Sequence, residues 1–85
     1  MKKIEYKIKN PNGIHARPVI LLINQFRKFS CDTVIEKDGK SANAKEIFAL
    51  MSLNIKQGDI ITITFDGEDE KRAARTIESF LKEEI

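Results

Sequence analysis

The 85-residue sequence predicts a two-layer α+β fold, with helices covering one face of an antiparallel sheet. Two observations carry this reading. Short strand-like segments with apolar residues at every second position are interleaved with segments whose apolar residues recur at helical spacing. Their order is strand, helix, strand, strand, helix, strand, helix. Two split strand–helix–strand units sharing one antiparallel sheet accommodate that order most economically. With no linker, repeat or low-complexity block, residues 1–85 read as one domain.

In the first strand Ile4, Tyr6 and Ile8 alternate with Glu5, Lys7 and Lys9, the period of a half-buried strand. Asn10-Pro11-Asn12-Gly13 is a strong turn signal and ends it. From Ala16 to Phe29, Val19, Leu22, Ile23 and Phe26 follow helical spacing. Proline favours the first helical position, which would start this helix at Pro18 with Arg17 as its cap. Thr33 to Glu36 reads as the second strand and Lys40 to Asn43 as the third. Asp38-Gly39 between them suits a type I′ hairpin turn. A short helix is expected over about Glu46 to Leu53, with Ile47, Leu50 and Met51 on one face. After Gly58-Asp59, Ile61, Ile63 and Phe65 alternate with Thr62 and Thr64 as the fourth strand. Glu68, Asp69 and Glu70 then place negative charge on the first turn of a last helix. Its apolar stripe is Ala73, Ile77, Phe80 and Leu81.

Several function classes are excluded or disfavoured. The lone cysteine, Cys31, cannot form an internal disulfide or build a zinc site, and it reads as a small core residue of a cytosolic protein. The first residues lack the apolar stretch of a secretory signal. The longest apolar run, Val19 to Ile23, is too short to span a bilayer. No carboxylate motif suggests a metal, and no glycine-rich loop suggests a nucleotide. Net charge of +2 does not point to nucleic acid. Residues 1–45 hold ten Lys and Arg against four Asp and Glu, whereas residues 46–85 hold five against nine. Two readings fit that asymmetry: two solvated faces, or a basic face that steers an acidic partner or an anion.

The sole histidine, His15, lies between a turn and a helix start and is followed by Ala16-Arg17-Pro18. The first amides of a helix are unpaired and its dipole favours an anion there. The guanidinium of Arg17 adds a fixed fork suited to phosphate oxygens. A helix N-terminus also depresses the imidazole pKa, which keeps His15 neutral and nucleophilic near pH 7. These features describe a site for attaching a phosphoryl group to histidine. The bland alternative is a turn at Asn12-Gly13, a capping residue and a solvated Arg17. In the short helix, Ile47, Phe48, Leu50, Met51 and Leu53 are more apolar groups than one buried face uses. Either one or two of them, Ile47 or Phe48, are exposed near His15 or Ile20 as a docking patch, or all are core.

At Asn12-Gly13-Ile14-His15-Ala16-Arg17-Pro18 the sequence resembles HPr, the histidine-containing phosphocarrier of the bacterial sugar phosphotransferase system. The resemblance covers the whole chain, including Lys37-Asp38-Gly39-Lys40, Ala44-Lys45, Leu50-Met51-Ser52-Leu53 and Gly67-Glu68-Asp69-Glu70. It implies an HPr-like open-faced β-sandwich of order βαββαβα, a four-stranded antiparallel sheet covered on one face by three helices. It implies that His15 accepts phosphate through Nδ1 from phosphorylated enzyme I and passes it to enzyme IIA domains. Arg17 and the amides of Ala16 and Arg17 then stabilise the phosphoryl oxygens, and Asn12 orients the ring. Ile20, Ile47, Phe48 and Met51 look like the family's shared docking surface. The implied protein is a cytoplasmic carrier rather than a turnover enzyme, with no cofactor, metal, nucleic acid or membrane insertion, and a monomer is expected. One departure stands out: where HPr of Gram-positive bacteria carries a kinase-phosphorylated serine, this chain has Glu46. Glu46 is either a structural substitution or a permanent, weak imitation of phosphoserine. Two other functions fit the same surface. One is a regulatory HPr-like binding module, and the other is a carrier for a nitrogen-linked or dihydroxyacetone kinase phosphorelay.

Overall fold

The structure, a computed structural model, describes residues 1–11 and 16–85, and for residues 16–18 the backbone alone. Its elements are β1 (Lys2–Lys7), α1 (Ala16–Phe26), β2 (Asp32–Lys37), β3 (Lys40–Asn43), α2 (Ile47–Met51), β4 (Ile60–Asp66) and α3 (Glu70–Glu84). The four strands form one antiparallel sheet in the order β1-β4-β2-β3. This is the expected open-faced α+β sandwich, with three helices on one side of the sheet.

Period-two patterning sets the register. Ile4, Ile63, Ile35 and Ala42 form one row across all four strands on the helix side. Glu5, Thr62, Glu36 and Ser41 form the adjacent row on the open side. A slip of one residue would exchange these rows and expose the apolar one. Asp38 and Gly39 both have positive φ, 51° and 79°, as the β2–β3 hairpin turn requires.

The predicted apolar face of α1 is the one buried: Val19, Leu22, Ile23 and Phe26 pack on the sheet. Phe26 stacks at a tilt on Phe65 of β4, with ring centroids 6.3 Å apart. From α2 only Leu50 is buried. From α3 the buried residues are Ala73, Ala74, Ile77 and Leu81, with Phe80 half-buried. Cys31 is a buried core residue, as expected.

The bounds of α1 and α2 differ from the sequence reading for local reasons, and β1 stops at Lys7, short of Ile8 and Lys9. α1 starts at Ala16 rather than Pro18. Pro18 is its third residue, still inside the first turn, where a missing N–H costs nothing. The same helix ends at Phe26 instead of Phe29. There the Lys28 and Phe29 amides donate to the Gln25 and Phe26 carbonyls, a tighter turn that still buries Phe29. α2 is shorter than expected. Glu46 is extended at its N-cap position, and Asn54 adopts a left-handed conformation (φ 52°) beyond its end.

Glu70 places negative charge on the first turn of α3, as expected, but Asp69 has a different task. The helix begins at Glu70, and Asp69 at the N-cap position makes no side-chain capping bond. Its carboxylate instead accepts from the Ser30 amide (2.8 Å), the Cys31 amide (3.0 Å) and the Ser30 hydroxyl (3.3 Å). Glu70 accepts from the Gly67 amide at 3.1 Å. The Asp66-Gly67 turn lies so close to Cys31 that a Cβ on Gly67 would sit 2.7 Å from the Cys31 Cβ. Burial, followed by the neighbouring Asp69 carboxylate, pushes the Cys31 thiol up to about 11.

The Ser30 amide, with the other donors around it, holds the Asp69 carboxyl below its ordinary range. A depressed carboxyl stabilises the fold above its unfolded pKa of about 3.9, and the contribution is lost as pH falls through the folded value. Asp69→Asn is therefore expected to lower the urea midpoint at pH 7. The gap to the parent should narrow steadily below about pH 4. Urea titrations across that range check this, and a gap independent of pH would refute it.

Candidate functional site

The described residues on both sides of residues 12–15 are anchored in the fold. On its N-terminal side, the Lys9 and Asn10 amides donate to the Ile85 carbonyl (3.1 and 2.8 Å), and Asn10 Nδ2 reaches the Glu84 carbonyl (3.4 Å). Ile8 is buried. Its amide donates to the Asp59 carbonyl at 2.9 Å, and its carbonyl accepts from Gly58 at 2.8 Å. On the other side, Val19 and Leu22 anchor α1 in the core. Asn12 and His15 lie outside the described residues, as do the side chains of Ala16 and Arg17. Ala16 and Arg17 are the first two residues of α1, so their amides belong to the unpaired first turn of an 11-residue helix. That is the anion-favouring feature anticipated from the sequence, and it begins directly after His15 in the chain.

The proposed docking residues are resolved individually. Phe48 is 83% exposed, Ile20 49% and Met51 41%. Ile47 is half-buried against the core. Met51 therefore leaves the inward face assigned to it, which Leu50 fills with Ile47 half-buried beside it. A five-residue helix is too short to bury every apolar residue it carries, so the excess faces outward. Sequence reasoning missed Leu21, 42% exposed beside Ile20. Its signal was available, because Ile20 and Leu21 fall outside the Val19, Leu22, Ile23, Phe26 stripe. Ile20, Ile23 and Ile47 line a small groove between α1 and α2, edged by Asn24 and Arg27.

α2 has only five residues, too few to hold a helix without tertiary support. Besides Leu50, two lysines provide it. Lys45 Nζ donates to the Phe29 carbonyl (2.8 Å) and the Cys31 carbonyl (3.0 Å), fixing the approach to the helix. Arg27 donates to the Lys45 carbonyl at 3.2 Å. Beyond the other end, Lys37 Nζ donates to the Leu53 and Asn54 carbonyls (3.3 and 2.7 Å) and pairs with Asp59 at 2.9 Å. The Lys37 bond holds the Asp59 carboxyl below its usual range. Glu46 is exposed and makes no side-chain capping bond at the α2 terminus. Among the described residues, no group of three or more His, Cys, Asp or Glu could hold a metal. None of their helices is long and apolar enough to cross a membrane.

An anion-favouring helix start directly after a histidine, flanked by an exposed apolar patch, defines a candidate phosphoryl-relay surface. Comparisons with known proteins agree with that class. The family model described as the PTS HPr component phosphorylation site matches residues 2–83, and the chain belongs to the HPr family. It is 38% identical to the HPr-like protein Crh of Bacillus subtilis over 84 residues, 99% of this chain and 96% of the relative. It is 44% identical to the phosphocarrier protein HPr of Buchnera aphidicola over 77 residues, 91% of each. The crystal structure of HPr from Thermoanaerobacter tengcongensis superposes with a TM-score of 0.93 at 38% identity, covering 96% of this chain and 92% of that one. A structure of an HPr dimer from the same organism matches at TM-score 0.78 and 37% identity, covering 98% and 95%. That dimer weighs against the expected monomer.

The exposure pattern separates two neighbouring residues of α2 by experiment. Phe48→Ala should leave the unfolding free energy from urea titration within about 0.5 kcal/mol, because its ring packs on little. Leu50→Ala should cost about 2–5 kcal/mol through lost burial and a cavity. Equal costs at the two positions would contradict the orientation of α2.

Proposed function

We propose that this chain is a phosphocarrier of the sugar phosphotransferase system, accepting a phosphoryl group on His15 from phosphorylated enzyme I and delivering it to enzyme IIA domains. The observation that carries the reading is the match to the phosphorylation-site family across residues 2–83, with His15-Ala16-Arg17-Pro18 intact where α1 begins. In this reading the neutral imidazole attacks phosphorus through Nδ1. A new N–P bond forms as the bond to the donor breaks, and the donor's group leaves with the electron pair. The first amides of α1 and the Arg17 guanidinium receive the phosphoryl oxygens, and Asn12 orients the ring. Transfer onward reverses these roles, so the chain is a stoichiometric intermediate and not a turnover enzyme. Ile20, Ile47, Phe48 and Met51 dock both donor and acceptor, and Leu21 extends that patch. The carrier works in the cytoplasm and needs no cofactor.

A regulatory binding module is the second reading, favoured by the similarity to Crh. The retained His15 speaks for the carrier, because a purely regulatory surface has no use for a nucleophile. A nitrogen-linked or dihydroxyacetone kinase relay would use the same chemistry at His15 and differ only in its acceptor. Incubation with phosphoenolpyruvate and enzyme I should attach one acid-labile, base-stable phosphate that disappears in His15→Ala. Persistence of the label in that variant would overturn the site, and absence of label in the parent would favour the regulatory module.

Glu46 is read as a structural substitution, in keeping with its exposed carboxylate and missing capping bond. Glu46→Ser is then expected to leave the rate of transfer from enzyme I within about twofold, below the ~0.4 kcal/mol that such a factor represents. A clear acceleration in stopped-flow transfer would instead identify the carboxylate as a standing imitation of phosphoserine.

A further inference from the structure

Three cations of the basic half of the sequence are spent inside the fold. Lys37, Lys45 and Arg27 are committed to internal carbonyls and carboxylates. Elsewhere, Lys2 and Lys3 of the basic half meet Lys71 and Arg75 of the acidic half across a groove between β1 and α3. Ile4 and Ala74 also line it, and Glu78, one turn beyond Arg75, adds the one carboxylate. Among the described residues, none of these four cations makes an ion pair or a side-chain hydrogen bond. All four are exposed.

The groove runs beside an open strand edge. β1 pairs with β4 on one side and ends the sheet on the other. An unpaired edge offers main-chain donors and acceptors to an added strand. Lys2 and Ile4 share the helix side of β1, whereas Lys3 lies in a row on the open side. An added strand alternates its side chains to the same two sides. It would present one set to Lys2, Lys71 and Arg75 and the other set to Lys3. Charge selects the occupant. A second copy entering by the same edge would bring a strand of three lysines and one glutamate against an identical one, a net like charge that opposes pairing. Single-stranded nucleic acid lacks a stacking platform, since no aromatic residue lines the groove. Carboxylates on an extended peptide meet both requirements.

We propose that the β1 edge is a second docking surface, which accepts an extended acidic segment of a partner protein as an added strand beside α3. It lies at the opposite end of the sheet from β3, the strand that α2 contacts. Both surfaces are therefore available together, and the inference is independent of the chemistry proposed at His15.

The test uses the full chain, 15N-labelled and titrated at low salt with an end-blocked peptide of alternating Glu and Val. Saturable amide shifts are expected across 2–7 and 71–78, with 19–26 and 47–51 unmoved. Raising salt from about 20 to about 200 mM should weaken binding at least about tenfold, as screening requires. Combining Lys71→Glu with Arg75→Glu should abolish the shifts while the rest of the spectrum stays native, and Phe48→Ala should leave them intact. The proposal is overturned by any of four outcomes. These are no saturable shift, shifts centred on α1 and α2, equal binding of an alternating Lys and Val peptide or an oligothymidylate, or a peptide-free dimer through β1 in sedimentation.

Discussion

β4 is the last strand in sequence, yet it lies between β1 and β2 and binds both. Its three inward residues, Ile61, Ile63 and Phe65, are fully buried, and Phe65 receives Phe26 from α1. The sheet is therefore incomplete until the chain has passed its sixtieth residue, and the first strand has no neighbour before then. Pairings between such distant segments must overcome loop-closure entropy before they contribute. The residues that flank 12–15 in the chain inherit this dependence. Lys9 and Asn10 are held by the end of α3, and α1 is held through Phe26 by β4.

Around that strand the polar side chains are spent on connections more than on surface ion pairs. Asp69 ties the Ser30–Cys31 backbone to the start of α3, and Lys45 takes the Phe29 and Cys31 carbonyls from the other side. Arg72 lies over the Phe29 ring, 5.4 Å from its centroid. The link between α1 and β2 is thus gripped by three side chains, two from the start of α3 and one from the segment before α2. Lys37 performs the corresponding task beyond the end of α2. A five-residue helix can display Phe48 and Met51 to solvent because its flanks are fixed in this way, and its own hydrogen bonds would not suffice.

Much of this was legible in the chain. Strand alternation at Ile61, Ile63 and Phe65 and helical spacing at Val19, Leu22, Ile23 and Phe26 identified buried faces correctly, because both are local consequences of backbone period. Asp38-Gly39 predicted its turn for the same reason. What stayed hidden was tertiary. Glu68-Asp69-Glu70 looks like helix-start charge, and nothing nearby in sequence says that Asp69 reaches back to residue 30. Lys45 and Lys37 looked like members of a basic face, since a sequence cannot show which carbonyls a long side chain will meet. The apolar excess in the short helix was readable as a sum. Its division between Leu50 inside and Phe48 outside required the orientation of the helix. The meeting of Lys2 and Lys3 with Lys71 and Arg75 joins opposite ends of the sequence, where no spacing rule applies.

The close contact between Gly67 and Cys31 has a practical consequence. The chain's single sulfhydryl is sealed beneath a turn that cannot even admit a methyl group, and its proton is held tightly at neutral pH. Thiol-directed reagents act on the thiolate, so the native protein is close to invisible to them. A cysteine engineered at any open position becomes a unique attachment point for a fluorophore or spin label, with no need to remove the natural one. Distances between the patch on α2 and a bound partner can be measured on an otherwise unaltered fold.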